Sequence, residues 1–175
     1  MPRSSLSKSL ILVAILLCAV PARADDSGEA RRHVEPLGGF SFIPPDGWQV
    51  REFPGMKYKI AHGRPVDGFA PNINVVDEPF PGSLDEYAKA NLVAMAKAFK
   101  DFRVISQETF ETTSGEPGVR IIYEATQNGL LLRQSFHCFG KDDMKFVVTC
   151  STLAEGGEKL DDAFKACINT FRFEE

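Results

Sequence analysis

The Asn128-Gly129 pair constrains the fold more than any other feature of this sequence. It separates two segments, 118–126 and 130–139, that are rich in β-branched and aromatic residues. Asn-Gly is the preferred dipeptide of a two-residue type I′ turn, because both central positions need a positive φ. The pair therefore predicts a β-hairpin in which Gln127 faces Leu130.

The predicted register divides the hairpin side chains between two faces, since successive residues of a strand point in opposite directions. Glu124 falls opposite Arg133 on one face, an oppositely charged cross-strand pair. The other face is continuous and mostly apolar, and its facing pairs are Tyr123 with Gln134, Ile121 with Phe136, and Val119 with Cys138.

Further strands are predicted on both sides of this hairpin. Strands at 103–112 and 144–153 flank it, and a turn around residues 141–143 places Phe146, Val148 and Cys150 on the same inner face. Period-two patterns and turn residues indicate shorter strands at 40–42, around Val50, at 56–61 and at 73–77.

Two helices are predicted. Ser83 and Glu86 have capping-box spacing, and an apolar stripe follows them from Leu84 to Phe99. A second helix covers about 157–170, with Leu160, Phe164, Cys167 and Ile168 on one side. These elements predict an α+β fold in which helices flank a central antiparallel sheet of about six strands, an α/β/α sandwich.

The N-terminus has the three parts of a cleavable signal peptide. Arg3 and Lys8 precede an apolar run at 10–20, and Ala22-Arg23-Ala24 supplies the small residues of a cleavage site. Leu17 before Cys18 disfavours a lipobox, so lipidation at Cys18 is the weaker alternative. We expect a signal peptide at 1–24, a flexible leader at 25–38 and a single domain at 39–175, exported to the bacterial periplasm or secreted.

Cleavage would make the protein more acidic. It removes Arg3, Lys8 and Arg23, so the net charge of −4 becomes −7. An acidic domain without a basic stripe is a poor ligand for nucleic acids or anionic membranes. The apolar run of the signal is too short to span a bilayer, so we expect no stable membrane span after cleavage. The sequence does not indicate an oligomeric state.

The order of these elements resembles the PsbP-like superfamily, whose bacterial branch includes small exported proteins grouped as DUF1795. The resemblance covers the whole mature domain, although no single motif is specific. Its elements are the Gly39–Pro44 segment with Trp48, the Ile73–Val76 strand, the Leu84–Phe99 helix, the Asn-Gly hairpin, the Phe146–Thr149 strand and the closing Phe171-Arg172-Phe173. It implies a central antiparallel sheet and a binding role without a catalytic motif.

Three cysteines remain after cleavage of the signal: Cys138, Cys150 and Cys167. In an oxidising compartment a pair of them is expected to form a disulfide. Cys150–Cys167 is the first candidate, because the final helix runs back over the last strand. Cys138 is the rival partner for either cysteine, and three buried free thiols are the third reading.

We identify no catalytic, cofactor-binding or metal-ligating residue in the sequence. His33, His62 and His137 are scattered, with no second ligand at metal-binding spacing. Phe53 and Phe69 lie in loops 52–56 and 63–71, where apolar residues suit a partner contact; the alternative is that both pack onto the core.

These observations predict an exported, non-enzymatic binding or accessory protein with an unidentified protein partner and no cofactor. A small-ligand or metal-binding carrier is the alternative, and a hydrolase is a weaker one.

Overall fold

A computed structural model describes residues 32–174 of the chain. Within this range the chain forms ten β-strands, two α-helices and a short 3₁₀ helix at Gly157–Leu160. The strands are β1 (His33–Glu35), β2 (Phe40–Phe42), β3 (Gln49–Arg51), β4 (Ile60–His62), β5 (Asn72–Pro79), β6 (Lys100–Glu111), β7 (Pro117–Gln127), β8 (Leu130–Lys141), β9 (Met144–Leu153) and β10 (Arg172–Phe173). The helices are α1 (Leu84–Ala98) and α2 (Asp161–Asn169). The signal peptide predicted at 1–24 lies outside the described residues.

The strands form two antiparallel sheets. The large sheet has seven strands in the order β3-β4-β5-β9-β8-β7-β6, and the small sheet has the order β1-β2-β10. The predicted α+β fold with a central antiparallel sheet is confirmed, but the sheet has seven strands rather than about six. The difference arises at the β3 end, where β3 and β4 have three residues each, too few for the pattern of alternating residues to define their pairing.

The β7–β8 hairpin has the register predicted from its turn. Gln127 faces Leu130, and Glu124 faces Arg133 with their side chains 3.7 Å apart. Asn128 and Gly129 both have positive φ, 51° and 82°, as a type I′ turn requires.

The next hairpin differs by one residue from the prediction. Its turn contains only Asp142 and Asp143, so Lys141 pairs with Met144 and Cys138 pairs with Val147. A shift of one residue moves every side chain of a strand to the other face. The prediction that Phe146, Val148 and Cys150 share a face with Cys138 is therefore wrong.

Both faces of the large sheet are consequently buried. On one face Tyr87, Ala88 and Met95 of α1 pack against residues that include Ile121, Phe136 and Cys138. On the opposite face α2 and the small sheet cover Phe139, Val148 and Cys150. The sheet thus lies between α1 and a mixed layer made of α2 and three short strands.

Part of the predicted flexible leader is ordered. Residues 33–35 form β1, which pairs with β2 so that His33 faces Phe42. Glu35, one of the charges that suggested a solvated leader, is buried, and its carboxylate accepts a hydrogen bond from the backbone N–H of Leu37. The ordered domain therefore begins several residues before Gly39, because β1 pairs with β2 and the buried Glu35 has a backbone partner.

Helix α1 begins with the predicted capping box. The Ser83 hydroxyl accepts a hydrogen bond from the backbone N–H of Glu86, and the Glu86 carboxylate accepts one from the backbone N–H of Ser83 at 2.8 Å. Helix α2 is shorter than predicted, because residues 157–160 form the 3₁₀ turn that precedes it. Arg133 of β8 binds Asp161 at the start of α2, with Nη2 2.6 Å from the carboxylate.

Candidate functional site

Strand β6 forms one edge of the large sheet. It has 12 residues and pairs with β7 on one side, while no strand of residues 32–174 pairs with its other side. All but two of its residues are exposed. A strand with unpaired N–H and C=O groups is a template for pairing with another chain.

The local hydrogen bonds show which backbone groups of β6 face this free edge. The N–H of Thr112 donates to the carbonyl of Glu116 at 3.0 Å, whereas the next pair joins Glu111 to Pro117, which has no N–H. In an antiparallel ladder hydrogen-bonded and non-hydrogen-bonded pairs alternate. The N–H and C=O groups of Glu111, Thr109 and Gln107 therefore point away from β7.

The two halves of β6 differ in regularity. Between Lys100 and Arg103 and again between Val104 and Ser106 the register with β7 shifts, and Asp101 has a φ of 55°. Bulges of this kind twist an edge and disrupt pairing. From Ser106 to Glu111 the register with β7 is unbroken, so this half is the regular part of the edge. We call residues 106–111 the edge segment.

A cleft of about 330 Å³ adjoins the edge segment on the side of α2. It is formed by three neighbouring strands and the helix that crosses them. Its lining residues are Glu108, Thr109, Phe110 and Glu111 of β6, Arg120 of β7, His137 of β8, and Lys165, Ile168 and Asn169 of α2.

The charges of the cleft are partly paired. The guanidinium of Arg120 forms an ion pair with the Glu108 carboxylate, whose side chain remains 48% exposed. The Nε of Arg120 is buried, and it has no hydrogen-bond partner among the described residues. Lys165 is exposed. The cleft thus offers a half-exposed carboxylate and a guanidinium with one unused donor.

His137 is an uncharged part of the cleft lining. Its ring lies edge-on to Phe110, with centroids 5.7 Å apart, and its Nδ1 lies 3.3 Å from the Val148 carbonyl oxygen. Burial, with a smaller contribution from Arg120, lowers the pKa of His137 to about 3. The predicted hairpin register places His137 opposite Arg120 on the outer face of the sheet, where a solvated side chain is expected. The structure corrects this expectation, because α2 covers that face and His137 is buried.

The loop residues predicted to contact a partner have different environments. Phe69 is only 3% exposed, which agrees with the alternative that it packs onto the core. A tight turn precedes it: Val66 and Phe69 exchange two backbone hydrogen bonds, so Asp67 and Gly68 form the tip. Phe53 is half-buried, and its contact with a partner remains a prediction.

The three cysteines of the domain are buried and free. Cys150 and Cys167 belong to the core cluster beneath α2 and the small sheet, whereas Cys138 belongs to the cluster beneath α1. The predicted Cys150–Cys167 disulfide is not formed in this structure. The sheet separates Cys138 from both, so the rival pairings through Cys138 are excluded by the fold.

Residues 32–174 contain no group of three or more His, Cys, Asp and Glu side chains placed to hold a metal ion. Within the same range neither helix has the length and apolar character needed to cross a bilayer.

Sequence reasoning missed the free edge and the cleft beside it. The signal for the edge was present: residues 100–111 carry charges on both faces of the strand, which is typical of edge strands. The cleft had no such signal, because Arg120, His137 and Lys165 come from separate elements.

No protein-family model and no curated protein matches this sequence. Solved structures do match it. The solution structure of the cyanobacterial PsbP protein CyanoP from Synechocystis sp. PCC 6803 superposes with a TM-score of 0.59 at 13% identity, over 87% of this chain and 98% of that one. The fold is PsbP-like.

Two further structures share the PsbP-like fold. LpqN of Mycobacterium tuberculosis, described as involved in cell envelope biogenesis, has a TM-score of 0.62 at 14% identity, over 82% of this chain and 88% of that one. PA94 of Pseudomonas aeruginosa, a protein of unknown function described as a possible regulator, has a TM-score of 0.58 at 14% identity, over 82% and 96%. At these identities the likeness shows the fold, and the site must be argued from this chain's own residues.

Proposed function

We propose that this protein is an exported, non-enzymatic accessory protein that binds an extended segment of a protein partner along β6. The observation that carries the proposal is the set of outward backbone groups at Gln107, Thr109 and Glu111. An extended peptide adds to such an edge through main-chain hydrogen bonds, while its alternate side chains provide specificity.

The edge segment lacks two of the features that commonly protect a sheet edge. It contains neither a proline nor a bulge, although both occur commonly where proteins prevent edge pairing. The bulges of β6 lie only in its first half. An edge that is protected in one half and regular in the other is consistent with a binding function for the regular half.

Export is supported by the N-terminal pattern rather than by the fold. The expected product of signal cleavage begins at Asp25. N-terminal sequencing of the protein recovered from the extracytoplasmic fraction tests this, and a protein that retains Met1 or residues of the 10–20 run in that fraction would contradict cleavage.

Partner binding is tested by a photo-crosslinking amino acid placed at position 109 in intact cells. We expect a crosslinked adduct with another protein, because Thr109 lies at the centre of the edge segment. Val93 is a matched control position, since its side chain is 56% exposed but lies on α1. Adducts of equal yield at both positions, or none at position 109 in repeated experiments, would refute the proposal.

A small-ligand carrier is the second candidate, favoured by the buried and unused Nε of Arg120 in the cleft. A guanidinium with a free donor suits a carboxylate or phosphate group. Thermal unfolding in the presence of acetate and of inorganic phosphate tests this: a rise in Tm that is lost in Arg120→Gln would support the carrier, and an unchanged Tm would count against it.

A further inference from the structure

The proposed function leaves the chemistry of the partner segment open, and the edge itself carries information about it. We propose that the partner segment is cationic: an extended chain with basic side chains opposite Glu108 and Glu111 and an apolar side chain opposite Phe110. This inference rests on the proposed function and names the class of peptide that the edge recognises.

The two carboxylates lie on opposite sides of the edge segment. Glu108 and Phe110 pair with Arg120 and Gly118 of β7. Both side chains face α2, because they line the cleft between β6 and that helix. Glu111 follows Phe110 and therefore points to the α1 side. Residues directly opposite one another on neighbouring strands share a face, so a bound strand presents one basic side chain to each carboxylate.

Both carboxylates can accept a new partner. Only one oxygen of Glu108 is engaged by Arg120, and about half of the side chain is exposed. Glu111 is exposed, and no hydrogen bond or ion pair with the described residues engages its carboxylate. The ring of Phe110 is half-buried over the core, which leaves part of it available for an apolar side chain.

Charge also argues against the two other chains that could occupy this edge. A second copy paired antiparallel through residues 106–111 would supply no basic side chain to Glu108 or Glu111, because this segment contains none. Residues 25–31 of this chain contain three acidic residues, Asp25, Asp26 and Glu29, and one arginine. Their net charge is therefore negative, like that of the edge segment. A basic segment of another protein is the occupant that fits.

The register defines a probe peptide. Read antiparallel to β6, the residues opposite Glu111, Phe110, Thr109 and Glu108 should be basic, apolar, variable and basic in that order. The probe is a fluorescently labelled Thr-Lys-Val-Thr-Lys-Thr with both ends blocked, and its charge-reversed counterpart is Thr-Glu-Val-Thr-Glu-Thr. We expect the full chain to bind the lysine peptide and not the glutamate peptide.

Four variants separate backbone pairing from charge. Thr109→Pro removes an outward N–H without breaking the β6–β7 ladder, since proline is tolerated on the open side of an edge strand; it should abolish binding, whereas Thr109→Ala should keep it. Glu108→Gln and Glu111→Gln should each weaken binding about 1.5- to 5-fold, as expected for cross-strand charge pairs. Circular dichroism and thermal unfolding of each variant establish that it is folded.

Two further variants test the sign of the charge effect. Lys165→Gln removes a positive charge from the cleft, so it should strengthen binding of the lysine peptide. Glu52→Gln makes the same change in charge as the β6 variants but follows β3, at the opposite edge of the sheet, so it should leave the affinity unchanged.

The outcomes distinguish this inference from the proposed function. Equal binding of both peptides, with Thr109→Pro abolishing both, overturns the cationic preference but leaves strand addition at β6 intact. Absence of binding of the lysine peptide to the wild-type chain overturns the inference, whereas a partner crosslinked at position 109 would still support the proposed function. Binding of the lysine peptide that survives Thr109→Pro also overturns it, because the contact would then not be a backbone pairing.

Discussion

Cys138 and Cys150 lie on the adjacent strands β8 and β9 but point to opposite faces of the large sheet. Cys138 packs beneath α1, whereas Cys150 shares a core with Cys167 of α2. The sheet itself therefore decides which cysteines can meet, and Cys150 with Cys167 is the pair that remains available on one face.

The first prediction follows from this separation. In protein recovered from an oxidising compartment, Cys138 should remain a free thiol, and the only disulfide of the mature chain should be Cys150–Cys167. Alkylation under denaturing, non-reducing conditions followed by peptide mass spectrometry checks it. A peptide that links Cys138 to either of the others would contradict the fold described here.

The reduced protein should also resist thiol reagents while it is folded. Burial raises the pKa of Cys167 to about 12 and raises the pKa of Cys138 and Cys150 as well, and only the thiolate reacts. Iodoacetamide at pH 8 should therefore modify the three thiols slowly in buffer and rapidly in denaturant. Rapid modification of the folded protein would show that these cores open readily.

The second prediction concerns His137 and acid. Its pKa of about 3 in the fold lies below the ordinary value near 6.5, so the unfolded chain binds a proton between these values while the folded chain does not. This contribution to stability is complete above pH 6.5 and falls as the pH decreases towards 3. His137→Phe should reduce the loss of unfolding free energy between pH 7 and pH 5 by about 2 kcal/mol.

Guanidinium unfolding at both pH values measures this difference. His33 and His62 also have lowered pKa values because of their burial, but they are common to both proteins and cancel in the comparison. Arg120 and Glu108 face the same cleft as His137, so a matching experiment in Glu108→Gln shows how much of the effect comes from their ion pair. An identical pH dependence in wild type and His137→Phe would contradict the buried, neutral state.

The third prediction tests the turn that determines the β7–β8 register. Gly129 has a φ of 82°, where a side chain costs about 1–2 kcal/mol, so Gly129→Ala should lower the unfolding free energy by that amount. Gly140→Ala is the matched control, because its φ is not in this region and an added Cβ would meet Leu84 at 3.6 Å, an ordinary contact. Chemical denaturation of both variants measures the difference, and equal losses would count against the strained turn.

The fourth prediction concerns the link between β8 and α2. The side chain of Arg133 is 14% exposed and binds both oxygens of Asp161, at 3.1 and 2.6 Å. Lysine cannot reproduce this two-point contact, so Arg133→Lys should cost about 1–2 kcal/mol of stability.

The control for this prediction is Arg103→Lys. Arg103 binds Glu124 at 2.7 Å with a side chain that is 68% exposed, and exposed pairs contribute little. Thermal and chemical unfolding of both variants should show a clear loss only for Arg133→Lys; a loss of the same size in Arg103→Lys would mean that exposure does not separate the two pairs.

Local signals predicted the elements that depend on neighbouring residues. The Asn128-Gly129 turn gave the register of β7 and β8, and the Ser83–Glu86 spacing identified the start of α1, because both depend on backbone angles or hydrogen bonds within a few residues. The order of the elements was also sufficient to indicate the PsbP-like fold.

Predictions failed where one residue or a distant contact decides the outcome. The Asp142-Asp143 turn is one residue shorter than expected, which places Cys138 and Cys150 on opposite faces of the sheet. Glu35 is buried with a backbone partner that its charge did not suggest. The free edge of β6 and its cleft depend on which strand ends the sheet.

The sequence by itself determined the β7–β8 hairpin and the class of fold, and it predicts an export signal whose cleavage would leave a more acidic chain. Only the tertiary structure decided that both faces of the sheet are buried, that Cys138 is separated from the other thiols, and that residues 106–111 lie at a free edge of the sheet. The physical reason is that hairpins and caps are local interactions, whereas burial and the position of an edge depend on contacts between segments far apart in the chain.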